Sequence, residues 1–268
     1  MSLTQIQTRV IEVLREFRTP QDYVGGGAAL NFDAPRLSDD MDIFGDRAAG
    51  LPSSGDKELD ALRAHGFTVE VNPVNDYIVE AIVRRYGFET RVQWMSDPEI
   101  RRRFFAAVRH DVLGFALHKS DNAVNKILCA SRRNSAARDA VDLVGLAEGY
   151  CPLGPLVWAV TGKDTLRNPL EVIRETRQNT FGYSDDEIRS VRMENGAEVT
   201  RDQVRQTLEP ALDRAADYCE QSAPVDFYGH LFVDKELIPG EATDEDLREK
   251  RYDAVCVKDF SSIPSLHE

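Results

Sequence analysis

The chain has 268 residues, 42% of them hydrophobic, which is enough for a substantial core in one large domain or two modest ones. A formal charge of −13 and a pI near 4.9 exclude a protein that coats nucleic acid indiscriminately, since that requires a broad basic surface. The four cysteines, Cys129, Cys151, Cys219 and Cys256, form no C-x-x-C pair. Together with the lack of an apolar leader or a bilayer-length apolar run, this predicts a soluble, cytoplasmic protein with reduced thiols and no membrane partner.

In chain order, Ile6, Val10, Val13, Leu14 and Phe17 recur at helical spacing and predict a first helix over 4–17. Tyr23-Val24 then leads into Gly25-Gly26-Gly27 and Ala28-Ala29-Leu30, a strand end turning into a helix start. Glycine there admits close backbone approach, and N–H groups at a helix start suit a phosphate. Asp40 and Asp42 alternate with Met41, Ile43 and Phe44, so on a strand both carboxylates share a face, roughly 7 Å apart at the backbone. Like charges at that distance cost on the order of 2 kcal/mol at an effective dielectric near 20. A divalent cation between them offsets that cost, and Mg²⁺, which takes hard oxygen ligands shared with substrate phosphates, is the expected one.

Lys57 to His65 reads as a helix capped at Gly66. The segments 67–71, 77–83 and 88–95 read as strands, the last two joined as a hairpin through Tyr86-Gly87. With the strands around Val24 and Asp42 they predict a small mixed sheet with helices on one side. Alternation puts Glu89, Arg91, Gln93 and Met95 on one face of the last strand, and Phe88, Thr90, Val92 and Trp94 on the other. Asp97-Pro98-Glu99 predicts the start of a helix carrying Arg101, Arg102 and Arg103, in the plain reading a solvated face. Twelve Lys and Arg against five Asp and Glu between Arg84 and Arg138 give a local positive field in an acidic protein.

Ser120 caps a predicted helix running to about Arg133, on which Lys126 alone would read as a snorkelling surface residue. Ser135 starts the next, where Arg138 and Asp142 have the spacing of a helix-surface salt bridge. Cys151-Pro-Leu-Gly-Pro155 reads as a breaker-rich connection. Beyond it, 167–178 and 201–220 read as helices separated by a turn at Glu194-Asn-Gly196. The segment 226–235 reads as an aromatic-rich strand or packing segment, and 241–249 as an acidic stretch. H-E-x-x-H, G-x-S-x-G, Walker A and EF-hand patterns are all absent from the sequence.

Two ordered blocks carry a resemblance. The first holds Gly26, Gly27, Leu30, Arg36, Ser38, Asp40 and Asp42, as GG-x-A-L followed by R-x-S-x-D-x-D; the second holds Asp121, Lys126, Arg132, Arg138, Asp139 and Asp142. Together they resemble the nucleotidyltransferase-fold toxins of the AbiEii/AbiGii type, distant relatives of DNA polymerase β. The resemblance implies an α+β chain: a small mixed-sheet nucleotidyltransferase domain over 1–96, and a mainly helical domain over 97–268 whose part 97–150 completes the active site.

It further implies a toxin-like enzyme that uses Mg²⁺ to move a nucleoside monophosphate from ATP or another NTP to an acceptor hydroxyl, releasing pyrophosphate. The acceptor would be RNA, such as the 3′ end of a tRNA, and the partner a cognate antitoxin protein. Asp40 and Asp42 are then the metal ligands, and Asp40, Asp42, Lys126 and Asp139 the catalytic set. Gly26, Gly27, Arg36, Ser38 and Lys126 receive the nucleotide, and a hydrogen bond from Asp139 orients Lys126. The third metal-facing group is Glu89 or Gln93. Because Gln93 stands where the third acid is expected, the alternative is a catalytically silent nucleotide-binding or protein-interaction module on the same fold.

Overall fold

The structure, a computed structural model, describes residues 3–46, 55–75, 78–96 and 102–259. They form an α+β protein of two compact units: Met1–Lys119 with Lys258–Glu268, and Ser120–Val257.

The first unit opens with α1 (Gln5–Leu14), closed at its start by a reciprocal cap in which the Gln7 amide N–H donates to the Thr4 hydroxyl and the Thr4 N–H to Gln7 Oε1. There follow β1 (Asp22–Gly25), α2 (Gly26–Leu30), β2 (Asp40–Gly45), α3 (Gly55–Ala64), β3 (Thr68–Asn75), β4 (Ile78–Arg85), β5 (Phe88–Met95), β6 (Arg102–Arg103), β7 (Val108–His110) and β8 (Gly114–Ala116). Seven strands make one sheet in the order β3-β4-β5-β2-β1-β8-β7. The β2–β5 and β1–β8 pairs are parallel and the other pairs antiparallel. Alternation sends Met41, Ile43, Val79, Ala81, Val83, Val92 and Trp94 into one core with Ile6, Val10, Ile11 and Leu14 of α1 and Leu59 and Leu62 of α3. Within that core Arg18 pairs with Glu58, both side chains fully buried, and Glu58 also accepts a 2.8 Å hydrogen bond from Trp94 Nε1.

The sheet is larger than the five strands expected. The strands β7 and β8 are three residues each, too short for an alternation to register, and they carry the first unit past residue 96, where the sequence reading divides the chain. The helix expected from Asp97 falls at its start (97–101) outside the described residues. Arg102 and Arg103 form a strand instead, antiparallel to β11 (Lys258–Asp259). Arg103 does not face solvent: it is buried, its Nη2 lies 2.6 Å from Asp46 Oδ2, and its guanidinium stacks 4.3 Å from the Tyr23 ring centroid. The expected start of β4 at Tyr77 is also outside the described residues.

The second unit contains α4 (Lys119–Ala130, counted from its second residue), α5 (Ala137–Gly149), α6 (Leu153–Lys163), α7 (Pro169–Gly182), α8 (Asp185–Arg189), α9 (Arg201–Gln221) and α10 (Asp244–Arg248). It also holds an antiparallel pair, β9 (Leu231–Val233) and β10 (Asp253–Val255). The segment read as a connection is the start of α6, with Leu153, Leu156, Val157 and Trp158 buried. Prolines 152 and 155 sit at its cap and first turn, where a missing N–H breaks no helical hydrogen bond. No helix among the described residues is long and apolar enough to cross a membrane.

Candidate functional site

The glycine triplet is explained by what lies against it. In the antiparallel β1–β2 pair Gly25 stands opposite Asp42. A Cβ on Gly25 would overlap the Phe44 ring, one on Gly26 would fall on Asp42 Oδ2, and one on Gly27 would overlap Arg36 Nη2 and come within 3.0 Å of Ser38 Oγ. Gly26 has φ +60°, so backbone and space both demand glycine there. The bend thus lets the Asp42 carboxylate rest on the main chain at the start of α2. That helix is five residues long, so its macrodipole adds little.

Arg36 and Ser38 hold the loop before β2. Arg36 is buried beside Gly27 and donates through Nη1 to the Leu37 carbonyl at 2.9 Å. Ser38 is fully buried; its hydroxyl donates to the Asp40 carbonyl at 2.8 Å, and its own carbonyl accepts from Gln7 Nε2 at 3.0 Å.

Register places the carboxylates in a polar plate. Asp40 and Asp42 stand beside Arg91 and Gln93 on β5, and these beside Ile82 and Glu80 on β4. Neighbours across a ladder share a face, so Asp40, Asp42, Arg91, Gln93 and Glu80 lie on the side opposite the α1 and α3 core. Gln93 Nε2 donates to Glu80 Oε2 at 2.9 Å. The Arg91 guanidinium sits between two acids, 3.8 Å from Asp40 Oδ2 and 3.6 Å from Glu80 Oε2.

Of the two groups considered for a third metal-facing position, Gln93 is level with Asp42. Glu89 is level with Arg84, to which it pairs at 2.9 Å, and is 65% exposed. The acid on this plate is Glu80, which sequence reasoning missed. The hairpin carried the signal: counting back from the two-residue turn sets Glu80 opposite Gln93, on the polar side of an otherwise apolar strand. Among the described residues no group of three His, Cys, Asp or Glu side chains gathers to hold a metal ion. Two carboxylates, Asp40 and Asp42, remain as a hard-oxygen donor pair, which suits an ion that takes its other ligands from water and phosphates.

The second motif block lies in the second unit. Lys126 of α4 places Nζ 2.8 Å from Asp139 Oδ1 and 2.9 Å from Asp142 Oδ2, both on α5. Asp139 also accepts from the Ala136 N–H at 2.9 Å, closing the first turn of α5. Burial works to lower the Lys126 pKa, but Asp142, Asp139 and Cys129 reverse it and leave the pKa above the usual lysine range. Lys126 is therefore a largely enclosed, ion-paired cation rather than a snorkelling residue, and Asp142 is buried in the same network. Asp121 is buried against Lys163 Nζ at 2.7 Å, which also donates to Asn125 Oδ1 at 2.8 Å. Arg138 lies in α5, and Arg132 follows α4, its carbonyl accepting from Asn179 Nδ2 at 2.8 Å.

A separate cavity of about 430 Å³ in the first unit is lined by Arg15, Arg18, Arg109, His110 and Phe115 among others, and by none of Gly26, Gly27, Asp40 or Asp42. Burial lowers the His110 pKa, and its Nδ1 faces the Val112 and Leu113 N–H groups at 3.2 Å each, so that nitrogen accepts and the ring is neutral. The chain matches no known protein-family profile, no curated protein and no solved structure.

Proposed function

We propose that the chain is a Mg²⁺-dependent nucleotidyltransferase that moves a nucleoside monophosphate from an NTP to an acceptor hydroxyl. The observation that carries this reading is the Asp42 carboxylate resting on the Gly26 bend, with Asp40 on the same face of β2. Asp40 and Asp42 would hold the ion, which supplies charge neutralisation and a clamp on the attacking and leaving oxygens. The glycines let the main chain at 26–27 come against Asp42 and Arg36, so a triphosphate tail beside the carboxylate pair would meet backbone there, with the buried Arg36 guanidinium behind Gly27. Ser38 fixes Asp40 through its main chain. Lys126 and Asp139 enter through the resemblance; their 2.8 Å contact supports the expected orienting bond. The acceptor, by the same resemblance, is RNA such as a tRNA 3′ end, in a toxin held by an antitoxin.

Incubation with each labelled NTP, Mg²⁺ and total RNA is expected to label RNA, and Asp42→Asn to abolish the labelling. Full Mg²⁺-dependent transfer by Asp42→Asn would remove the basis of the reading.

One observation favours a second reading, a silent nucleotide-binding module. Arg91 between Asp40 and Glu80 offsets their charge without an ion, and Gln93 is neutral beside Asp42. Calorimetry separates the two, because the silent module binds NTP yet labels no acceptor.

A further inference from the structure

At the β4–β5 turn, aromatic rings and arginines are exposed together. Arg9, Phe67, Arg85, Tyr86 and Phe88 line a cavity of about 250 Å³, with no acid among its lining residues. Tyr86 is 84% and Phe88 55% exposed. The Arg85 guanidinium is 5.0 Å from the Phe67 ring centroid and 4.8 Å from that of Tyr86. It makes no ion pair among the described residues. Arg9 pairs with Glu12 at 3.8 Å on the open surface of α1.

The turn backbone does not favour a tyrosine here, although its hydroxyl accepts from Arg85 Nη2 at 3.2 Å. Tyr86 and Gly87 form a two-residue loop with φ +52° and +80°. A hairpin turn with positive φ at both positions prefers Asn-Gly, and a bulky side chain in that region is strained. A strained, solvent-exposed aromatic beside two arginines points outward to a ligand.

We infer that this turn is a contact surface for single-stranded nucleic acid, with bases stacking on Tyr86 and Phe88 and phosphates meeting Arg9 and Arg85. Rings with exposed π-faces flanked by positive charge are the two elements such binding combines. The acid-free lining is a local exception in a chain of net charge −13, so the patch is complementary to a polyanion. A duplex keeps its bases stacked inside and cannot use the rings. The inference does not depend on nucleotidyl transfer, because it involves neither NTP nor a metal ion.

The test is a fluorescence anisotropy titration at low salt, without NTP or divalent ions, of labelled single-stranded RNA and DNA ten-mers and of an RNA duplex. Single strands are expected to bind more tightly than the duplex. Tyr86→Asn keeps a favoured turn residue while removing the ring, so it should melt at or above the wild-type temperature and bind at least about fivefold more weakly. Phe88→Ala should weaken binding similarly, and Arg85→Gln should reduce the log–log salt slope by about 0.7. The inference is overturned if the wild-type protein binds no single strand, if the duplex binds as well, or if folded Tyr86→Asn and Phe88→Ala both bind like wild type.

Discussion

Replacing Lys126 with methionine decides whether this lysine is primarily a structural cation. In the wild-type protein one ammonium serves two carboxylates, Asp139 at 2.8 Å and Asp142 at 2.9 Å, with side-chain exposures of 11%, 10% and 0%. Both acid oxygens touch a single nitrogen, so they lie less than about 6 Å apart, and their repulsion without it is about 3 kcal/mol at an effective dielectric near 20. Leaving buried charges uncompensated costs about 3–5 kcal/mol, so urea unfolding of Lys126→Met should show a loss in that range. Lys126 keeps its Asp139 contact when Asp142 is made neutral, so Asp142→Asn should cost about 1 kcal/mol.

The pH dependence has a definite sign. In wild type the raised Lys126 pKa contributes stability that is complete below the unfolded lysine value of 10.5 and is lost as pH rises through the higher folded value. In Lys126→Met the two acids raise each other's pKa, so the variant should recover stability as pH falls from 7 toward 4. A loss under about 1 kcal/mol for Lys126→Met, or a larger loss for Asp142→Asn, would refute the reasoning.

Gly26→Ala should destabilise by about 1–2 kcal/mol, because alanine at φ +60° is strained. Its Cβ would also push Asp42 aside, so nucleotidyl transfer should fall with it; wild-type transfer by a folded Gly26→Ala would disconnect the bend from the carboxylate. Glu58→Gln leaves the fully buried Arg18 without its charge partner and should cost about 3–5 kcal/mol in chemical unfolding, which an exposed pair would not. Burial pushes the Cys219 thiol up to about 12, and Cys151 is buried, whereas Cys129 and Cys256 are exposed. A disulfide reagent at pH 8 should therefore titrate two thiols quickly in the native protein and four in denaturant.

The sequence made the long periodic elements legible and the short ones not. The i, i+4 apolar spacing of α1 and the alternation of β4 and β5 each hold over eight residues or more, and Tyr86-Gly87 marked their turn. By contrast, β7 and β8 present three residues each, less than two full alternations. Arg103 looked like surface charge because no local pattern reveals a partner 57 positions away, yet Asp46 and the Tyr23 ring enclose it. At the site, the shared face of Asp40 and Asp42 followed from alternation, whereas Arg91 and Glu80 needed the strand order. That β5 lies parallel beside β2, rather than β1 alone, is a tertiary choice no local residue announces.

That strand order also sets the electrostatics any ligand meets. The plate carries three carboxylates, Asp40, Asp42 and Glu80, with the Arg91 guanidinium between Asp40 and Glu80. Next along the bend, Arg36 lies buried against Gly27. A bare triphosphate would be repelled by these acids. With a cation between Asp40 and Asp42, the same acids become the anchor for the end of the triphosphate that lies beside them. Replacing Arg91 with glutamine removes the guanidinium between Asp40 and Glu80, so an ion becomes more necessary. If Asp40 and Asp42 hold Mg²⁺, nucleotide affinity in Arg91→Gln should depend more steeply on Mg²⁺ than in wild type; an unchanged dependence would mean that these acids hold no Mg²⁺.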